Sequence, residues 1–486
     1  MRVLQGLQPE KVFYYFEEIC RIPHTSGNEK EISDYCVAFA QERGLFCRQD
    51  AYGNVVIRAG ATPGYETEEP VILQGHLDMV GDKAPDAQTD PETDPLELAV
   101  DGDYIYAKGT TLGGDDGIAV AYALAILDSN DIPHPELEVI LTVSEEVGLI
   151  GATQLDMSVC RGRRLINVDS EDEGILTAGC SGGRRICCHI PVVFSLSQGM
   201  EYTISLKGLK GGHSGMEIDR GRANANILMG RFLLLLKERT DYVLTAFQGG
   251  SKENVIAKGV QIQILLEHRN EQALMDAAAQ FEQTAASEYG TADPDIAIVV
   301  SRGQICEKPG ADSDSLHKII DVLNILPDGV QVMSQDLPGL VETSLNLGVA
   351  ELTEQELQLR ISVRSSVPSA KEHICRKVQL LTERLGGKVE YSGDYPAWPY
   401  AKESALREIC LKQYREMFGK EMKVVTIHAG LECGILSGKV HGLDCVSIGP
   451  DLLDVHTARE RASIRSVART WEFLKAILAY KETETK

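Results

Sequence analysis

Five short stretches of this chain place metal-ligand residue types at the end of an apolar run, at the start of one or after a turn. In Leu73-Gln74-Gly75-His76-Leu77-Asp78 the run before His76 reads as a strand, and a period of two sends His76 and Asp78 to one side of it. An imidazole and a carboxylate so spaced suit a metal ligand and the partner that fixes its tautomer. A strand-end surface pair is the plain alternative. Gly113-Gly114-Asp115-Asp116-Gly117 leads into an alanine-rich apolar run at 117–127. A carboxylate there is either a helix N-cap or a ligand shared by two cations, with Asp115 the candidate. A phosphate loop does not fit, because neither G-x-G-x-x-G nor Gly-Lys-Ser/Thr is present and two carboxylates repel an anion. In Ser144-Glu145-Glu146 the adjacent side chains face different ways, so one can bind a metal while its neighbour moves a proton. A solvated acidic turn is the ordinary reading of a lone Glu-Glu. Asp169 closes the run Leu165-Ile166-Asn167-Val168, and His456 follows the turn Ser447-Ile448-Gly449-Pro450.

Three apolar runs ending in His, Glu or Asp form the pattern of a site at the carboxyl edge of an α/β sheet. Two imidazoles and three carboxylates suit a pair of zinc ions that generate a nucleophilic hydroxide near neutral pH. Thiolate zinc sites are not indicated. Gly179-Cys180-Ser181-Gly182-Gly183 fits the nucleophile elbow G-x-S-x-G, yet residues 184–190 read as a strand where the elbow needs a helix. No H-E-x-x-H occurs.

The elements that must position these residues alternate. Helical spacing covers 10–20 and 29–43, β-rich runs cover 55–57, 71–73, 137–143 and 165–168, and helices return at 405–417 and 466–480. This order predicts an α/β layer sandwich with a largely parallel central sheet. The middle of the chain differs: strand-like 202–207, helical 223–239 and strand-like 260–266, then 345–350, 358–363 and a helix at 370–385. That order suits an α+β domain, with a weaker suggestion of two similar halves. The expected division is a catalytic domain of 1–182 and 389–486, interrupted by an insert of 183–388.

Composition narrows the choices. At 486 residues the chain exceeds what one core supports, roughly 250–300 residues. Its 43% hydrophobic and 25% charged content is that of a globular protein. With 48 Lys+Arg against 72 Asp+Glu the net charge is −24, which argues against nucleic-acid and anionic-membrane partners. No run approaches the ~20 apolar residues of a membrane span. The first residues lack a signal-peptide pattern, and the 12 cysteines are scattered without C-x-x-C, so reduced thiols in a cytoplasmic protein are expected.

Together the strings GHLDMV, KGTTLGGDDGIA, TVSEEVGLIGA, INVDSEDEG, KGLKGGHSGMEI, IHAGLECGIL and SIGP with His456 resemble the M20 family of metallopeptidases, in consistent order from Pro23 to His456. The resemblance implies a zinc-peptidase-like α/β catalytic domain with an inserted α+β lid domain, which serves dimerisation in some members. It implies two zinc ions, with Mn²⁺ or Co²⁺ compatible with the same donors. His76 and Asp169 would hold one, Glu146 and His456 the other, with Asp115 between them. Many members carry Asp-Asp-Lys-Gly where this chain has Asp115-Asp116-Gly117. Asp78 would orient His76, and Glu145 would be the general base. His213, in Gly211-Gly212-His213-Ser214-Gly215, would stabilise the oxyanion, and Arg364 would grip the substrate carboxylate. Bland readings exist for both: His213 as part of a Gly-rich turn, Arg364 as a strand-surface residue. The implied activity is hydrolysis of dipeptides, Xaa-His pairs including β-alanyl-histidine among them. Tripeptide and N-acyl amino acid hydrolysis are the rivals within the family, and a non-catalytic binding protein is the rival outside it. A homodimer agrees with the resemblance, as does a lid that supplies its own partner surface.

Overall fold

The computed structural model describes residues 2–481. They form two compact units: residues 2–180 with Trp398–Thr426 and residues 431–481, and Ser181–Ala397 with Ile427–Gly430. The strand Lys388–Tyr395 pairs with Gly182–Pro191 along the edge of the second unit's sheet. That pairing carries the second unit past the boundary at 388 expected from sequence.

In the first unit, β-branched and leucine-rich runs form an eight-stranded sheet. Its order is Phe46–Gln49, Val55–Ala59, Leu137–Thr142, Val71–His76, Arg164–Asn167, Asp444–Ser447, Ile175–Cys180, Lys423–Ile427. The strand Val71–His76 is parallel to both of its neighbours, and Asp444–Ser447 continues that direction. Beyond these four, Val55–Ala59, Phe46–Gln49 and Ile175–Cys180 pair antiparallel. Four central strands therefore run parallel with antiparallel pairings flanking them, whereas the alternation of elements predicted a largely parallel sheet. Strand direction at an edge is set by pairing partners distant in sequence, and local periodicity carries no record of it.

The central strands are buried on both faces, as continuous apolar runs require. The helix Gly114–Leu127 lies against one face, buried from Gly117 to Ile126. Two glycines allow this fit. A Cβ on Gly75 would stand 2.6 Å from both the Ala119 Cβ and an Asp116 oxygen, and one on Gly117 would stand 3.2 Å from the Phe16 ring. Farther along, the Tyr122 ring stacks on Trp471 at 5.9 Å and its hydroxyl donates to the Val467 carbonyl. These contacts join the helices Glu10–Ile19 and Ile464–Leu478 into one core with the sheet.

The second unit is an antiparallel nine-stranded sheet backed by the helices Ala225–Lys237, Glu271–Tyr289, Ser313–Ile325 and Pro368–Arg384, with its own core. The strands Val243–Gly249 and Ala297–Ala311 and two of those helices, Glu271–Tyr289 and Ser313–Ile325, were not evident from sequence patterning, whereas Gly182–Pro191 falls where residues 184–190 read as a strand. Ser181 is buried, donates its hydroxyl to the Ala429 carbonyl and is followed by strand, so the elbow geometry is absent. All 12 cysteines are free. No described helix is long and apolar enough to cross a membrane.

Candidate active site

Parallel pairing brings the carboxyl ends of Leu137–Thr142, Val71–His76 and Arg164–Asn167 to one sheet edge, which delivers Glu145 and Glu146, His76, and Asp169 together. His76 is buried, with Nδ1 2.9 Å from the Asp78 carbonyl. Donation there leaves the Nε2 lone pair free, 3.1 Å from Asp115 Oδ1 and 3.8 Å from Asp169 Oδ1. The other Asp115 oxygen lies 3.1 Å from His456 Nε2, which is also 2.8 Å from Glu146 Oε1. Asp115 thus presents one oxygen to each imidazole. Asp116 acts differently, its carboxylate accepting the His76 backbone N–H at 3.0 Å from beneath.

The Asp78 carboxylate does more than sequence reasoning assigned to it. It stands 3.5 Å from His76 Nδ1, farther than its own carbonyl. It accepts instead the backbone N–H of Glu145 at 2.9 Å and of Glu146 at 3.3 Å, and the Ser26 hydroxyl at 2.8 Å. Glu29 holds the same turn by accepting from both the backbone N–H and the hydroxyl of Ser144, whose φ of 53° is left-handed. The turn carrying the two glutamates is therefore pinned by two carboxylates, and Glu29 gave no signal in the sequence.

Glu460 is a second residue that patterning missed. It is 2% exposed and accepts the backbone N–H groups of Leu112, Gly113, Gly114 and Asp115 at 2.8–3.3 Å. One carboxylate thus shapes the turn that presents Asp115. Glu460→Ala leaves those donors without an acceptor and is expected to lower stability by about 3 kcal/mol. For a unit of this size that is a drop of roughly 6–12 °C in melting temperature, read on metal-free protein. A shift under about 2 °C would mean that water replaces the carboxylate.

The electrostatics of the cluster are those of a cation site. Burial pushes Glu145, Asp169 and Asp116 well above the usual carboxylate range, and neighbouring carboxylates add to it. Burial alone would lower His76, but the carboxylates of Asp115 and Asp78 raise it well above its ordinary value. Asp115 and Glu146 lift His456 to about 11. Three overlapping sets have ligand atoms within 4.8 Å of one another: His76, Asp116 and Asp169; His76, Glu145 and Glu146; Asp115, Glu146 and His456. Asp169 Oδ2 is buried without a hydrogen-bond donor. Ligand atoms about 2.0–2.1 Å from a tetrahedral zinc stand roughly 3.3 Å apart, which matches the 2.8–3.8 Å spacings here. The residues fit two divalent cations.

In the second unit, His213 closes the short strand Gly212–His213 and Arg364 lies in Glu356–Ser365. Both flank Gly215: a Cβ there would stand 3.0 Å from His213 Cε1 and 3.2 Å from Arg364 Nε. His213 Nδ1 accepts the backbone N–H groups of Gly215 and Met216, so the proton resides on Nε2. Burial and the Arg364 charge lower its pKa and keep the ring neutral. Arg364 is buried, not at the strand surface. Its Nη1 donates to the Tyr395 hydroxyl at 2.9 Å, while Nε is buried without an acceptor. A third group, unread in the sequence, joins them: His428, 2.7 Å from the Ser344 hydroxyl, is pushed down to about 3 by burial, Arg364 and His213.

An α/β sheet whose parallel strands end in an imidazole and carboxylates, with one more carboxylate shared by two histidines, is the arrangement of a metallopeptidase. The chain belongs to peptidase family M20/M25/M40, which residues 72–480 match. It is a hydrolase acting on peptide bonds. It is 36% identical over 480 residues to the cytosol non-specific dipeptidase of Escherichia coli (strain K12), covering 98% of this chain and 99% of that one. It is also similar to the solved aminoacylhistidine dipeptidase of Vibrio alginolyticus, with TM-score 0.89 and 36% identity over 99% of this chain and 98% of that one. A tripeptidase from Staphylococcus aureus shares the fold, with TM-score 0.56 at 18% identity over 97% of this chain and 98% of that one.

Proposed function

We propose that this chain hydrolyses dipeptides, Xaa-His pairs such as β-alanyl-histidine among them, with the second unit acting as a lid. The two oxygens of Asp115, each 3.1 Å from a different imidazole, carry the reading. His76 and Asp169 would hold one zinc ion and Glu146 and His456 the other, with Asp115 common to both; Mn²⁺ or Co²⁺ would suit the same donors. Bound there, the metal pair would polarise the scissile carbonyl and supply a hydroxide near neutral pH.

The chain's own groups do the rest. Glu145 takes the proton of the attacking water and returns it to the leaving amine, a shuttle suited to a carboxylate whose pKa burial has raised. His213 donates Nε2–H to the oxyanion as charge develops. The unsatisfied Nε of Arg364 binds the free C-terminal carboxylate of the substrate, which favours very short peptides.

Arg364→Ala is expected to raise KM for free dipeptides by about 10–150-fold and to remove the preference for them over C-terminally amidated ones. An unchanged preference would free Arg364 from this role. The reading as a whole is tested by assaying metal-stripped protein, with and without zinc, on dipeptides, tripeptides and N-acyl amino acids. Zinc-restored cleavage confined to dipeptides supports it, with the Xaa-His pairs ranked by kcat/KM. Cleavage of tripeptides or N-acyl substrates instead redirects the specificity, and full activity without metal overturns the mechanism.

A further inference from the structure

Below the strand ends lies a buried polar network that neither holds a metal in the reading above nor touches substrate. Glu432 opens the helix Glu432–Lys439 and is 0% exposed. Its Oε2 accepts from Gln74 Nε2 and, at 2.7 Å, from the Thr142 hydroxyl, while Oε1 is buried without a donor. Gln74 Oε1 in turn accepts from Asn167 Nδ2 at 2.7 Å. Each of these partners sits just ahead of a proposed ligand or base. Gln74 is two residues before His76 and on the same face of its strand, Thr142 is cross-strand to His76 and precedes Glu145, and Asn167 precedes Asp169 by two.

The cost of such a group is informative. A buried carboxylate loses several kcal/mol of hydration unless something compensates, and an apolar side chain would pack the same space without that loss. Two hydrogen bonds at one oxygen, with the other oxygen unpaired, do not offset that loss within the metal-free protein. Positive charge at the strand ends would.

We propose that Glu432 is a positioning residue of the metal centre: it ties the three ligand-bearing strands together through Gln74, Thr142 and Asn167, and adds a buried negative charge beneath the cations. The proposal rests on reading the strand ends as a cation site. Burial raises the Glu432 carboxyl to about 7, with His76 opposing that shift, so a positive charge added nearby favours its ionised form.

The test is zinc affinity, measured on the full chain by competition with a chromophoric chelator, for wild type, Glu432→Gln, Thr142→Val and Thr142→Ser. Glu432→Gln is expected to weaken zinc binding by about 10–100-fold and to lower kcat at saturating zinc with KM unchanged, while metal-free melting stays within a few degrees of wild type. Thr142→Val removes one of the two donors to Glu432 and should weaken zinc in the same direction, with Thr142→Ser restoring it. The Thr142 pair keeps the test decisive if Glu432→Gln does not fold. Wild-type affinity in Glu432→Gln, or equal affinities for the two Thr142 variants, overturns the proposal. A wild-type chain that binds no zinc, manganese or cobalt would instead overturn the cation-site reading on which it rests.

Discussion

Glu145→Ala is expected to lower kcat on a dipeptide by about two to four orders of magnitude, with two zinc ions still bound and KM little changed. The size follows from the chemistry. A positioned base that accepts a proton in the transition state contributes that much. Glu145 is also held in place: its backbone N–H is fixed by Asp78, and the preceding residue is fixed by Glu29. Truncation therefore removes a group and leaves the turn intact. Glu145 lies within ligand range of His76 and Glu146, so zinc content must be measured beside the rate. Loss of a zinc together with the rate would move Glu145 into the ligand set, and more than a tenth of wild-type kcat would end its candidacy as the base.

Asp115→Ala should be the more severe change, abolishing the site instead of slowing it. Its two oxygens face the two imidazoles, and burial would raise its pKa were it not for hydrogen bonds from His456 and His76, which hold the carboxyl well below its ordinary range. Without it, each cation loses one donor and the pair loses the charge between them. The expected outcome is at most one zinc per chain and a fall in kcat/KM of at least about four orders of magnitude, near 5–6 kcal/mol of barrier. Asp116→Asn is the informative companion. That side chain accepts the His76 backbone N–H and faces the core, so two zinc ions and most of the rate should remain. The reverse pattern, with Asp116 essential for metal and Asp115 dispensable, would exchange their roles.

The strand ends were legible because the information there is local. An apolar run of strand length followed by His, Glu or Asp states both the element and where it stops, and His76, Glu146 and Asp169 all follow that rule. The tie between Asp78 and the Glu145–Glu146 turn was not legible. It joins residues 67 and 68 positions apart, and the same H-x-D spacing equally suits the simpler role of orienting His76.

By itself, the sequence determined that the chain has more than one core, that alternating runs build an α/β catalytic unit around an α+β insert, and which side chains stand at the strand ends. Those statements depend on periodicity and residue type, which act over a few residues. Tertiary structure alone decided that the Leu137–Thr142, Val71–His76 and Arg164–Asn167 strands are neighbours, which makes scattered donors into one cluster. It also decided that His456 meets Asp115 from 341 positions away, that Glu460 shapes the Asp115 turn, and that Glu432 ties the strands from below. Such contacts form only after the sheet closes. Their cost and gain lie in burying and pairing charges that are far apart in the chain, and no local pattern records them.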